Sequence, residues 1–481
     1  MTEPLKVVIS VDTFAPDING AARFAERIAG GLARRGHEVH VIAPAFDNNP
    51  GSRYEVHDGG RMMLHRLKSH RVPTHKTQRF VYPFGLTRRI KKILREVNPV
   101  AVHVNSHLII GRYSAKAAKS LGLRLIATNH IMPENLIKYS LIPKFLHKPA
   151  MKIAWADAGR VLRGMDKVTT PTRKAAELLE NAAKVTNVLA ISCGIEASRF
   201  ANKTPTSNVD PVFLFLGRLD DEKRIPTLIR ALAKLKEFPK AKVELVGDGG
   251  ERENLRLLAQ ELGVSERVRF LGHIKDRDLP AAYERCTAFV MPSIAELQSI
   301  ATMEAMASGR PIIAANAMAL PHLVHDGDNG YLFPPDDVDA LADRMRRILV
   351  ADESELQRLS ENSLHLIKAH DIQTTLTIFE NLYQGLGEPS PTSEDNAPDY
   401  ESPIGRLSEN LRDLLASWRE DALGLQARAD EIRQEAVEKL SNVRDDAIEK
   451  WTEVKEDVIE QVSEIKEEVV EVAKRLRKKK E

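Results

Sequence analysis

The sequence predicts an α/β protein of two Rossmann-like domains in tandem, facing a cleft and followed by a long helical extension. Three observations carry that reading. Short runs rich in Val, Ile and Leu alternate with helix-patterned segments, and most runs are nearly continuous in apolar residues, as strands buried on both faces of a parallel sheet are. The alternation restarts at Val212. From Ile404 to Lys480 there is no proline and only Gly405 and Gly424, with charges of both signs throughout, which reads as one or two long helices.

In the first domain, residues 1–190, the strand-like runs are Lys6–Val11, His37–Ala43, Met63–Leu67, Val100–Asn105, Arg124–Asn129 and Lys167–Pro171. Helical patterns such as Ala21–Arg35 and Tyr113–Leu121 lie between them. In the second domain, residues 191–373, the runs are Val212–Leu216, Lys242–Val246, Val268–Leu271, Ala288–Met291 and Pro311–Ala315. Helices are expected over Ile225–Phe238, Glu251–Gly263, Asp276–Cys286 and Ser299–Ser308. This is the βαβ grammar of a doubly wound sheet, written twice.

Residues 387–403, GEPSPTSEDNAPDYESP, hold almost nothing to bury and read as a disordered linker. The tail 404–481 carries an apolar stripe through Val443, Ala447, Trp451, Val454, Val458, Val462, Ile465, Val469, Val472 and Leu476. Its spacing approaches an 11-residue period, close to a straight helix rather than a left-handed coiled coil. Self-association or docking through this helix, contact with a membrane surface, and a merely solvated helix all stay open. The face opposite the stripe is mainly acidic, and only the final KRLRKKK is strongly basic.

Composition excludes several classes. No run approaches 18 uncharged apolar residues, so no transmembrane helix is expected, and the N-terminus lacks the apolar region of a secretory signal. Cys193 and Cys286 are too few for a disulfide framework or a cysteine-based metal site, and no histidines show metal-ligand spacing. A cytoplasmic protein with no metal and no cofactor is expected. The absence of G-x-G-x-x-G and of G-x-x-x-x-G-K-[ST] counts against an NAD dehydrogenase and a P-loop NTPase. The net charge of +2 divides into +17 over residues 1–190, −11 over 191–403 and −4 over 404–481. The basic first domain points to an anionic partner surface.

Ligands of open α/β sheets bind at the carboxyl ends of the strands. After the first strand, Asn19-Gly20 precedes a helix whose N-terminus favours an anion. His130 follows the strand LRLIATN. In FLFLGRLDDEKR, Arg218 and Lys223 stand just past a buried strand, suited either to a diphosphate or to ion pairing with Asp220, Asp221 and Glu222. The next strand ends in the glycine turn VGDGG. The segment MPSIAELQSIATMEAMASGRPIIAAN places Glu296 in a loop and Glu304 in the second turn of the following helix. Two carboxylates at that spacing straddle a helix N-terminus. One can bond sugar hydroxyls and the other a ribose diol, with a phosphate held between them.

Taken together, GRLDDEKR, VGDG, the Glu296/Glu304 segment with EAMASGRPIIA and the tandem layout resemble the GT-B glycosyltransferases of family 4, over roughly residues 5–385. The resemblance implies a retaining hexosyltransferase that uses a nucleotide-diphosphate sugar and needs no metal. It implies that Gly20 presents its backbone to the diphosphate and that Arg218 and Lys223 neutralise the leaving group. Glu296 would hold the donor sugar, Glu304 the ribose, and His130 would touch the sugar near the reacting carbon. It also implies that the last helix, Thr374–Leu386, returns to complete the first domain, which takes the acceptor. The family's usual glycines after the first Glu are absent: Leu297, Gln298 and Ser299 line that part of the donor site instead, and Ser299 is placed to cap the helix. The donor, UDP-glucose or GDP-mannose in type, is not distinguished.

The basic excess lies in the domain assigned to the acceptor. Arg66, Lys68, Arg71, Lys76 and Arg79 cluster in a loop-like stretch, and Arg88, Arg89, Lys91, Lys92 and Arg95 follow on a helix. Lys138, Lys144, Lys148 and Lys152 interleave with Leu141, Ile142, Phe145, Leu146 and Met151. Basic and apolar residues on one surface suit an anionic membrane, and no nucleic-acid module is present. The expectation is a peripheral enzyme of the inner membrane face with a lipid acceptor such as diacylglycerol or a glycolipid precursor. A soluble acceptor, and a non-catalytic sugar-nucleotide sensor or scaffold working through the tail, are the alternatives.

Overall fold

The protein is described by a computed structural model covering residues 3–386, apart from 18, 48, 72–78, 134–145 and 201–209. The linker and tail readings over 387–481, with Lys76, Lys138, Leu141, Ile142, Lys144 and Phe145, lie outside the described residues. The first half holds β1 (Lys6–Ser10), β2 (Glu38–Pro44), β3 (Gly51–His57), β4 (Gly60–Leu67), β5 (His70–Arg71), β6 (Arg79–Phe80), β7 (Ala101–Val104), β8 (Arg124–Thr128), β9 (Lys167–Thr170) and β10 (Leu189–Ala190). The second holds β11 (Val212–Leu216), β12 (Lys242–Val246), β13 (Val268–Gly272), β14 (Ala288–Met291), β15 (Ile312–Ala315) and β16 (Gly330–Phe333).

Two separate sheets result. The first runs β10-β9-β8-β7-β1-β2-β4-β3 and the second β13-β12-β11-β14-β15-β16, with β5 and β6 as a small ribbon. Every pair in the two large sheets is parallel except β3 with β4. That hairpin turns at Asp58-Gly59, both with positive φ (44° and 73°), the conformation a tight two-residue hairpin demands. The run Met63–Leu67 is therefore only the inner part of a longer strand.

Central strands such as β7, β14 and β15 are buried along their whole length, which accounts for their unbroken apolar runs. One apolar core extends from Val7, Ile9 and Phe24 through Ile195 and Phe200 to Phe213 and Phe289. Apart from the edge hairpin of β3 and β4, the strand order reverses once in each sheet, between β1 and β7 and between β11 and β14. A crevice opens at such a switch point, at the carboxyl ends of the strands.

The chain passes between the halves after β10 and again through the turn Ile367–His370. The two passages bond to each other: Ile195 N donates to His370 O (2.8 Å), and Ile372 N to Ile195 O (3.1 Å). The helix Ile372–Gln384 follows, capped by Asp371, which accepts from Gln373 N and Thr374 N. That cap starts the helix two residues before the expected Thr374. Its far side docks on the first half. Glu380 accepts from Arg35 (2.8 Å) and lies 2.9 Å from His37 Nε2, while Tyr383 Oη lies 2.8 Å from His103 Nδ1.

Candidate active site

The loop after β11 and the loop after β14 meet beside the second sheet's reversal point. Ile294 N donates to the carbonyl of Glu222 at 3.0 Å and ties them together. Across this junction the Lys223 ammonium is ion-paired with the Glu296 carboxylate. Both side chains are largely buried, 14% and 12% exposed, so the pair is shielded from the screening that weakens surface pairs. Arg218 is held by Asp220 and Glu222, the latter at 2.8 Å. For Arg218 the structure thus shows the ion-pairing arrangement with neighbouring acids.

The glycines of the VGDG turn stand against a neighbouring loop. A Cβ on Gly247 would stand 1.9 Å from the carbonyl oxygen of Gly217, and one on Gly249 would stand 2.4 Å from that of Leu219. These glycines let the loop after β12 pack against the loop that carries Arg218 and Lys223.

Ser299 caps the helix Ile300–Ala307, its Oγ accepting from Thr302 N at 3.3 Å and from Thr302 Oγ1 at 2.8 Å. Its φ of +20° keeps an unusual backbone at this bend. Leu297 and Gln298 face the first half and the crossing. Thr172 Oγ1 donates to Leu297 O (2.9 Å), and Gln298 accepts from Cys193 N (2.7 Å) and donates to Ser192 Oγ (3.0 Å). Glu304 is buried, paired with Arg27 of the first half, and accepts from Tyr283 Oη at 2.9 Å. Burial and the adjacent Glu304 charge push the Tyr283 hydroxyl well above its ordinary pKa, so it donates.

In the first half, Gly20 opens α1 (Gly20–Arg34), whose N-cap Asn19 accepts from Ala22 N. A Cβ on Gly20 would meet nothing within 4 Å, so the start of α1 faces open space. His130 lies at the end of β8 with its ring 4.4 Å from that of Phe24 on α1. Burial lowers its pKa to about 3, so the imidazole is neutral. Among the described residues, no hydrogen bond or ion pair joins His130 to the Lys223–Glu296 pair.

Sequence reasoning missed the side chains that α1 sends across to the second half. Arg23 pairs with Asp276 and Arg27 with Glu304, one helical turn apart. Burial pushes the Asp276 carboxyl up, but the bond and charge of Arg23 bring it below its usual value. The i, i+4 arginines of ARFAER were the available signal. Arg66 also differs from expectation. It is 1% exposed within β4 and is paired with Glu55 at 2.7 Å, so it adds nothing to the surface charge.

A family model described as Glycosyltransferase Family 4 matches residues 18–199, and one described as Glycosyl transferases group 1 matches residues 196–365. The chain is 28% identical to a GDP-mannose-dependent alpha-mannosyltransferase of Mycolicibacterium smegmatis, over 74% of this chain and 93% of that one. It is 23% identical to an alpha-monoglucosyldiacylglycerol synthase of Acholeplasma laidlawii, over 68% and 85%. The structure of a sucrose-phosphate synthase from Thermosynechococcus elongatus superposes with a TM-score of 0.65 at 23% identity, covering 80% of this chain and 99% of that one.

Proposed function

From the premise that this chain belongs to the family 4 glycosyltransferases, we propose that it moves a hexose, with retention, from a nucleotide-diphosphate sugar to a lipid acceptor at an anionic membrane surface. The observation that carries this is the shielded Lys223–Glu296 pair beside the reversal point of the second sheet. As the anomeric C–O bond breaks, charge grows on the departing diphosphate. Lys223 and Arg218 supply fixed positive charge there, and the open N-terminus of α1 adds its N–H groups. Glu296 exchanges its cation for the sugar's hydroxyls when the donor enters. Glu304 serves the ribose, and neutral His130 meets the sugar without repelling the developing positive charge.

The lipid acceptor is supported by the named activity of the Acholeplasma relative and by the surface of the first half. Tyr82 and Phe84 are 51% and 87% exposed, immediately before the helix Leu86–Val97, which exposes Arg88, Arg89, Lys92 and Arg95. Leu146 and Ile153 stand exposed beside Lys148 and Lys152. No helix among the described residues is long and apolar enough to cross a membrane. Aromatic side chains beside cations suit attachment at the headgroup level.

The test is nucleotide-diphosphate release from UDP- and GDP-sugars, with and without anionic vesicles carrying diacylglycerol or simple glycolipids. Release that depends on one donor and on lipid, and is lost in Glu296→Gln, is expected. Release unaffected by vesicles but raised by a soluble sugar would overturn the membrane acceptor.

A further inference from the structure

The segment after Glu296 carries Leu297, Gln298 and Ser299 in place of the glycines usual there, and the Gln298 side chain has a use of its own. Gln298 is 4% exposed and stands two residues from Glu296. Its amide reaches out of its own loop. Oε1 accepts from Cys193 N at 2.7 Å, and Nε2 donates to Ser192 Oγ at 3.0 Å. A backbone N–H can only donate, so Cys193 fixes which end of the amide faces which partner. Both partners lie on the first passage between the halves, just past β10.

That passage is itself held on two sides. Ser192 O accepts from Thr375 Oγ1 of the helix Ile372–Gln384 at 3.2 Å. Ser192 Oγ accepts from Gln298 and from Gly194 N (3.2 Å), so its own hydrogen goes to His370 Nδ1, 2.9 Å away on the second passage. A chain of bonds thus runs from His370 through Ser192 and Gln298 to the loop of Glu296. The loop's backbone is also fastened from outside. Ala319 N donates to Glu296 O at 3.2 Å, and Thr172 Oγ1 of the first half donates to Leu297 O at 2.9 Å. Three successive residues without a glycine, each bonded to a different element, have little freedom left to lose when a ligand enters.

We propose that Gln298 is a positioning residue, which bonds the Glu296 loop to the crossing at Ser192 and Cys193 and so holds the carboxylate where the donor's sugar is met. The proposal rests on the sugar-holding role given to Glu296 above and names what sets its place. The Lys223 pair does not serve this end, because Glu296 gives up that cation when the donor enters. A hold that outlasts donor entry has to come from the loop's own anchors, and the buried Gln298 amide is one of them. Gln298 has little to offer the sugar directly. Both ends of its amide are bonded to protein, and Nε2 also lies 3.4 Å from His370 Nδ1. Its effect on the reaction therefore passes through Glu296, where a small misplacement is costly.

The full chain is titrated by calorimetry with UDP-glucose, GDP-mannose, UDP and GDP. The bare diphosphates lack the sugar, so a residue acting through Glu296 changes binding of the sugar nucleotide alone. Gln298→Met removes both amide bonds at similar volume. It is expected to weaken the accepted sugar nucleotide about tenfold, while the matching diphosphate moves less than about twofold. Ser192→Ala deletes one link and leaves Cys193 N its acceptor, so it should show the same split at about threefold. It carries the test if Gln298→Met does not fold. In a Glu296→Gln background, Gln298→Met should cost less than about twofold further, because the carboxylate it positions is gone. Unchanged sugar-nucleotide binding, or equal weakening of the sugar nucleotide and its diphosphate, would overturn the proposal. So would full additivity with Glu296→Gln, since the amide would then be merely structural. An unmodified chain that binds none of the four ligands would sink the transfer reading and this one with it.

Discussion

Arg27, two turns into α1, and Glu304, on the helix after the second sheet's reversal point, form an ion pair across the face between the two halves. Their side chains are 12% and 6% exposed, and Tyr283 Oη donates to the second Glu304 oxygen. Removing one partner of such a pair strands a buried charge. Arg27→Met is expected to cost about 3 kcal/mol, read as a lower urea midpoint at constant m. The double variant Arg27→Met/Glu304→Gln should recover part of that loss. Losses in Arg27→Met and Glu304→Gln that sum to the loss in the double variant would show the pair to be energetically silent.

Among the described residues, Lys223 is the basic side chain paired with Glu296. Lys223→Met should lower kcat about 100-fold or more, because one preorganised charge on a leaving group is worth that much. Lys223→Arg should rescue little, since a planar guanidinium does not replace a compact ammonium in a filled site. Initial rates of nucleotide release at saturating donor check both.

Burial lowers the pKa of His103 and His130 to about 3 and of His65 and His370 to about 4, and it lowers that of His107 as well. Their unfolded values lie near 6.5, so the unfolded chain binds more protons between pH 6.5 and the folded pKa. Stability therefore falls as pH drops through that window and is fully restored above it. His103 alone contributes about 2 kcal/mol of loss between pH 7 and pH 5. Denaturation midpoints across that range should show this slope. His103→Gln should flatten it, though its bonds to Tyr383 and Thr128 make the variant weaker at pH 7.

Phe84 is 87% exposed, so Phe84→Ser should leave the Tm unchanged and weaken binding to anionic vesicles. Reversing Arg88, Arg89, Lys92 and Arg95 to Glu should abolish binding at physiological salt, at about 1 kcal/mol per cation near the surface. Vesicle co-sedimentation over a salt series reads both. Binding insensitive to these changes would place the attachment surface elsewhere.

How much of this was legible in the sequence depended on how local the signal was. Buried parallel strands such as Ala288–Met291 announce themselves because both faces are covered, and the Glu296–Glu304 segment is contiguous. The hairpin of β3 and β4 was missed, although Asp58-Gly59 is a strong turn signal, because β3 is half exposed and its run is not apolar. The glycines of VGDG were legible as a turn, but not what they pack against, since Gly217 lies thirty residues before Gly247 in the sequence. Arg27 and Glu304 are 277 residues apart, and no local pattern links them.

A single strand joining two bodies lets them bend, twist and slide. Here the two passages are bonded side by side where Ile195 meets His370 and Asp371. Twist or slide at this joint would break those bonds, so the two passages form a paired tether rather than a single swivel. Any parting of the halves must also separate Arg23 from Asp276 and Arg27 from Glu304.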